Sequence, residues 1–197
     1  MATFNWPSGL VPSTMTISLV SNTQANRSKW SGVVQTVRVP GSRWRIDLTF
    51  NNLDDSESRL LEGLLFRLDG QANRVKCRDF GRLGDNPKGT PRVSVGDQQG
   101  DQVTTSGWNA NTTVLKVGDW VLIGGELKMV TVDCGSNASG IAIIQFTPAL
   151  RRSPAVNSSI DTLNTWSTFL LSENTAGVDR KPAFNNDITI TLEEDIV

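Results

Sequence analysis

Two adjacent glycines, Gly124-Gly125, separate the apolar runs of Leu115–Val132, LKVGDWVLIGGELKMVTV. Glycine accepts the positive φ that two-residue hairpin turns require, so this stretch predicts a β-hairpin. Counting outward from the turn sets the register: Leu122 faces Leu127 and Trp120 faces Met129 on a wholly apolar side. On the other side Ile123 meets Glu126 and Val121 meets Lys128, which reads as a half-wet face. A one-residue slip would turn the apolar side to water, so the register is strongly specified. Gly118-Asp119 and the loop Asp133–Gly140 bound the hairpin, and Ile141–Phe146 supplies a third strand. The middle of the chain is therefore expected to be a small antiparallel unit, inserted into a second unit built from the sequence on either side.

That outer unit opens on twelve residues that read as an extended arm, with Trp6-Pro7 and Val11-Pro12. Met15–Leu19 then alternates apolar and polar residues. Val33–Val39 alternates less cleanly, and Arg43–Phe50 alternates without exception, Trp44, Ile46, Leu48 and Phe50 against Arg43, Arg45, Asp47 and Thr49. Pro40-Gly41-Ser42 predicts that the last two pair as a hairpin. Between the first two strands, Ser21–Gly32 is polar except for Ala25 and Trp30 and reads as a long loop or exposed extension. Asp54 followed by Glu57 predicts a capping box. The helix it opens carries Leu60, Leu61, Leu64, Leu65 and Leu68 as an apolar stripe, ends at Gly70, and has Gly63 as a point of close packing. Arg74–Phe80 reads as a strand and Gly81–Pro91 as turns.

Short strands at Val93–Val95 and Gln102–Thr105, the hairpin and Ile141–Phe146 suit a small barrel or sandwich. Ser153–Thr165 is a polar return with one strand at its centre. Thr168–Leu171 and Asp187–Glu193 close the chain, the last with Arg43–Phe50 or Met15–Leu19 as its natural partner. The expected division is 1–90 with 165–197 as the outer unit, and 91–164 as the insertion.

Histidine and tyrosine are both absent. That removes Ser-His and Cys-His nucleophile pairs, histidine metal ligation and the commonest general base. Asp97, Asp101, Asp119 and Asp133 sit in or beside turns, where aspartate serves local hydrogen bonding, so no catalytic carboxylate pair is expected. Gly81–Thr90 lacks the Lys-Ser/Thr step of a phosphate loop, and Asp133–Gly140 lacks the alternating ligands of a calcium loop. The sequons at Asn26, Asn111, Asn137 and Asn157 are read as chance matches in a Ser/Thr/Asn-rich chain. Cys77 and Cys134 are too few for a four-thiolate cluster, and they are expected to stay reduced. No cofactor or metal is expected. The start of the chain shows neither a basic nor an apolar export region, and no apolar run is long enough for a membrane span.

The net charge of −1 hides an asymmetry. Arg27–Arg92 holds 13 basic and 8 acidic residues, a balance of +5, whereas Val93–Val197 holds 6 and 12, a balance of −6. The basic residues alternate with apolar ones along strands, which reads as a solvated or protein-facing sheet rather than a nucleic-acid surface. Of the six tryptophans, Trp44 and Trp120 read as core. Trp6, Trp30, Trp108 and Trp166 fall in loops or at strand ends and read as anchors for partners.

Taken in order, Gly41-Ser-Arg-Trp-Arg45, the helix, Asp69-Gly-Gln-Ala-Asn-Arg-Val75, Lys88-Gly-Thr-Pro91, Gly107-Trp108, Leu115–Gly124 and Phe169-Leu-Leu-Ser-Glu-Asn174 resemble the distal tail protein of long-tailed, siphovirus-like bacteriophages. The resemblance runs from about Val33 to Leu192 and rests on order and spacing rather than on any one motif. It departs at Lys181–Asn186, where relatives commonly carry Tyr-Gly and small residues.

The resemblance implies a tail-tube-like β-sandwich or split barrel with one flanking helix, carrying an inserted small β-barrel of oligosaccharide-binding type. It implies a non-enzymatic virion protein, assembled in the host cytoplasm as a homo-hexameric ring at the tail tip. Such a ring joins the tube protein to the tip hub and the receptor-binding or fibre proteins, with DNA passing through it unspecifically and no membrane insertion. Asn26, Arg27, Lys29 and Trp30, with Arg43 and Arg45, are the candidate ring contacts, facing the acidic side of a neighbour's last strand. Trp108 and Trp166 are the candidate outer contacts. A carbohydrate-binding β-sandwich using exposed tryptophans, and a tail-tip protein of another type such as the iron–sulfur kind, are the alternatives.

Overall fold

Unbroken alternation becomes strand wherever the sequence shows it. In the computed structural model, which describes residues 1–175, 177–178 and 186–196, strands account for 47% of the described residues and helix for 7%. The outer unit contains β1 (Thr3–Phe4), β2 (Thr14–Val20), β3 (Thr23–Arg27), β4 (Val34–Arg38), β5 (Arg43–Leu53), α1 (Asp55–Leu68) and β6 (Arg74–Cys77). The middle contains β7 (Gly89–Val93), β8 (Gly100–Trp108), β9 (Thr113–Leu115), β10 (Trp120–Ile123), β11 (Glu126–Val130), β12 (Cys134–Gly135), β13 (Ala142–Leu150) and β14 (Ile160–Asp161). β15 (Ser167–Leu171) and β16 (Asn186–Glu194) return to the outer unit. Most of the departing stretch Lys181–Asn186 lies outside the described residues.

The first sheet runs β1-β6-β15-β16-β5-β2. β16 pairs with β5 as expected, Ile190 opposite Leu48 and Leu192 opposite Ile46, so two alternating rows present one apolar face. The predicted pairing of Val33–Val39 with Arg43–Phe50 is not what forms. β5 pairs with β2 from Met15↔Leu48 to Leu19↔Trp44, because only β2 matches its period with Met15, Ile17 and Leu19. β4 folds back on β3 instead, so residues 21–42 leave the sheet as a separate ribbon.

The helix starts as its sequence requires. The Asp54 carboxylate accepts from the Glu57 amide at 2.7 Å, and the Glu57 carboxylate accepts from the Asp54 amide at 3.2 Å. These bonds to its ionised form hold the Asp54 carboxyl below its ordinary value, the Glu57 amide contributing most. Leu61, Leu64, Leu65 and Leu68 are buried, whereas Leu60 faces water. Gly63 has no neighbour near its missing Cβ, so it is not the close-packing point expected. β6 ends at Cys77 rather than Phe80, because the Asp79 carboxylate accepts from the Gly81 and Arg82 amides and turns the chain.

The second sheet runs β14-β10-β11-β13-β8-β7. Its ends come together through the bridge Arg92↔Ser159 and the bonds Val93 N to Ser158 O (3.0 Å) and Asn157 N to Val93 O (2.9 Å). The sheet is thus nearly closed into a barrel.

The hairpin β10–β11 has the register counted from its glycines, Trp120↔Met129 through Ile123↔Glu126. Its faces are not dry and wet, however; each packs in a different core. Trp120 and Leu127 join Trp44, Ile46, Leu48, Phe50 and the helix leucines in one cluster. Val121 and Ile123 join Val93, Val103, Ile144 and Phe146 in the other. Lys128, on the side expected to be half-wet, is fully buried, its ammonium donating to the Glu126 carboxylate (2.6 Å) and the Ala149 carbonyl (2.9 Å). Burial pulls its pKa below the usual lysine value. The hairpin is a wall shared by both units.

The first twelve residues, expected as an extended arm, are built into the first sheet and its core. β1 adds to β6 in parallel, and Trp6 stacks on Phe50 at 6.1 Å and donates from Nε1 to the Leu10 carbonyl at 2.8 Å. Trp6 is core.

Candidate assembly site

The ribbon β3–β4 is the part of the molecule that leaves most unaccounted for. Every residue of both strands is exposed, so neither face has a core to lie on. A two-stranded hairpin alone is at best marginally stable in water. Its register, Thr23↔Arg38 through Arg27↔Val34, places Arg27, Val34 and Arg38 on one face. Gln24, Asn26, Gln35 and Val37 lie on the other. Residues 21–42 carry three basic residues and no acidic one.

The tip is a defined turn. The Ser28 hydroxyl accepts from the Trp30 and Ser31 amides, and the Ser28 amide donates to Val33 O at 2.9 Å. This turn holds Trp30 wholly in solvent, with Val33 beside it more than half exposed. At its base, the Asn22 side chain donates to Pro40 O at 3.0 Å and Val39 N donates to Asn22 O at 2.9 Å. The Arg38–Asp101 pair, 3.9 Å apart and exposed at both ends, is too weak to fix the ribbon to the barrel.

Of the other candidates, Arg43 and Arg45 stand on the outer face of β5 but are engaged within the chain. Arg43 pairs with Glu193 at 3.3 Å and Arg45 with Asp47 at 3.5 Å. The acidic side of the last strand, expected to meet a neighbour, meets Arg43 of its own sheet. Trp108 is not an outer contact. It is 5% exposed, sits in the barrel core and donates from Nε1 to Thr105 Oγ1 at 2.8 Å. Trp166 is half-buried against Phe80, with the Arg78 guanidinium 4.7 Å from its ring centroid.

Two of the four turn carboxylates do the local work expected of them, whereas Asp101 lies on β8. Asp119 accepts from Lys116 N at 2.7 Å and Asp133 from Val117 N at 2.8 Å. Among the described residues, no three Cys, Asp or Glu side chains gather as a metal site, and no helix is long and apolar enough to cross a membrane.

The sequence did not single out four charges where the units meet, Lys128 and Glu194 buried and Glu126 and Arg151 partly so. Glu194 pairs with Arg151, and Glu126 pairs with Lys128 while accepting from Arg151 N and Arg152 N at 3.2 Å each. One signal was present, since Glu194 continues the inward parity of Ile188, Ile190 and Leu192.

The two thiols are free and lie in separate cores. Burial pushes the Cys77 thiol up to about 12 and also raises Cys134. Neither should be alkylated by iodoacetamide near pH 8 in the folded protein, and both should be alkylated in guanidinium, as read by intact mass. Rapid labelling of the folded chain would contradict this packing.

The geometry defines a mainly β protein of two sheets with a shared hairpin and a projecting ribbon. Compared with known proteins, the chain matches no family model and no curated protein.

Proposed function

We propose that this chain is a structural virion protein, a hexameric ring at the distal end of a phage tail tube that joins the tube to the tip hub and receptor-binding apparatus. In this reading the sheet with α1 corresponds to the tail-tube-like sandwich, or split barrel, that forms the ring. The near-closed barrel corresponds to the oligosaccharide-binding-type insertion that faces outward. The ordered motifs of the resemblance support it, and the observation that carries it is the ribbon. A basic two-stranded arm, exposed on both faces and tipped by Trp30, gains little stability within its own chain. A neighbouring copy would cover it, and a closed ring would do so for every copy at once. Engagement of Arg43 and Arg45 by Glu193 and Asp47 moves the proposed contact onto the ribbon itself.

Trp30→Ala, or shortening Ser21–Gly32, should weaken ring formation while leaving the monomer folded. Light scattering reads the first and circular dichroism the second. A fully exposed tryptophan adds nothing to its own core, so the melting temperature of the monomer should not move. An unchanged ring mass in the shortened protein would place the interface elsewhere, and a monomer at all concentrations in the unaltered protein would count against the ring.

A further inference from the structure

A second feature lies away from the ribbon, where β6 and the approach to β15 meet the barrel strands β10 and β14. There a cleft of about 450 Å³ opens between the two sheets. Its size and its place between structural units are those of small-molecule sites. Trp6 and Trp166 line it, with Asn5, Lys76, Asp161 and Asn164 around them.

Trp166 is held before any ligand arrives. Phe80 meets it edge-on at 6.2 Å and is itself packed, tilted, against Trp6 at 5.5 Å, and Arg78 covers part of the Trp166 ring. The polar groups, by contrast, have spare capacity. Asp161 Oδ1 accepts from the Leu163 and Asn164 amides at 2.9 and 2.7 Å, while Oδ2 has no protein donor among the described residues. Nor do the side chains of Asn5, Lys76 or Asn164 hydrogen-bond to another described residue.

Arg74 on β6 is paired with Asp195 at 2.7 Å, and Arg78 just after the strand is stacked on Trp166, which leaves Lys76 as the available cation of this stretch. Lys76 and Asp161 line the same cleft without pairing with each other, so it offers a cationic and an anionic position apart.

We propose that this cleft binds one sugar residue bearing an acidic group. The indole of Trp166 supplies an apolar platform for the C–H face of a pyranose. The Asn5 and Asn164 amides can both donate to and accept from hydroxyls, and Asp161 Oδ2 accepts from them. Lys76 meets the carboxylate as a point charge. A nucleotide is disfavoured, since among the described residues no helix N-terminus lines the cleft to hold phosphate.

The test titrates the full-length chain with D-glucuronic, D-galacturonic and N-acetylneuraminic acids, with D-glucose and AMP as comparisons, by saturation-transfer NMR. At least one acidic sugar should bind with a Kd on the order of 1 mM. Trp166→Ala should weaken it about tenfold or more. Lys76→Gln should weaken the acidic sugar severalfold and leave D-glucose unchanged. Should Trp166→Ala prove unfolded by circular dichroism, Asn164→Ala, at an exposed position, tests the same contact and should weaken all bound sugars. No binding of any acidic sugar, binding of AMP alone, or binding unaltered by Lys76→Gln and Asn164→Ala would each overturn the proposal. Binding is read on the chain itself, so its failure would leave the ring reading untouched, as ring failure would leave this one.

Discussion

Glu194→Ala is expected to destabilise the fold by about 3–5 kcal/mol, the range for breaking a buried ion pair from one side. The Glu194 side chain is 1% exposed and takes bonds from both units. Its Oε2 accepts from the Arg151 guanidinium and from Trp44 N at 3.3 Å, and its Oε1 accepts from Leu127 N at 3.3 Å. Alanine would leave a cation and two amides buried with fewer acceptors, each a desolvation cost rather than the loss of one contact. Glu194→Gln should cost less, since the amide keeps an acceptor oxygen. Arg151 would still lose its counter-charge, though it also donates to the Ser42 carbonyl at 3.1 Å. Against a total stability of about 5–15 kcal/mol, the alanine variant should show a large drop in urea midpoint. A change under about 1 kcal/mol would mean that water reaches this cluster and screens the pair.

These charges also show where sequence reasoning stopped. The hairpin register, the β5 alternation and the Asp54–Glu57 cap were legible because each rests on neighbours within a few residues. Glu126 and Lys128 pointed to a wet face because a charged side chain ordinarily stays in water. Here the barrel closes over that face, and the two charges neutralise each other beneath it. Nothing local reports that closure.

The ribbon failed in a different way. Pro40-Gly41-Ser42 looked like a hairpin turn, but the strands it joins belong to different sheets, and the true partner of β5 is a strand more than twenty residues earlier. Pairing by period, Met15, Ile17 and Leu19 against the β5 row, was the better guide than pairing by proximity. Trp108 looked to lie beyond a strand that stops at Thr105, whereas β8 runs on through it. Val103 and Thr105 point inward, so strict alternation would have turned Trp108 outward. Gly107 takes a φ of 86°, which interrupts the alternation and returns the indole to the core. Of the cleft around Trp166, the sequence marked only the tryptophans, as anchors, and nothing of the polar groups around them. Asn5, Lys76 and Asp161 come from three distant segments that only the two sheets bring together.

The shared wall gives the other large expectation. Trp120→Ala should cost about 3–5 kcal/mol, as for other buried aromatic truncations. Trp120 is 3% exposed, meets Trp44 edge-to-face at 4.9 Å and 79°, and donates from Nε1 to Asp79 Oδ2 at 2.8 Å. The change removes apolar packing and leaves the Asp79 carboxylate one donor short. It does so at the seam, from a barrel strand whose side chain packs into the first core. If the units were merely tethered, a Trp120 variant would loosen one of them and leave the other intact. Because the hairpin is structural to both, heat should instead unfold both sheets in one transition at a lower temperature. Excising 91–164 would remove Trp120 and Leu127 together, so the remainder would carry at least this loss. A double-mutant cycle with Trp44→Ala isolates the ring–ring part, which should come to about 0.5–1.5 kcal/mol of coupling. Calorimetry decides between the two pictures. Two separate transitions in Trp120→Ala, with the second at its original temperature, would show that the barrel does not depend on this wall and that the cores are independent.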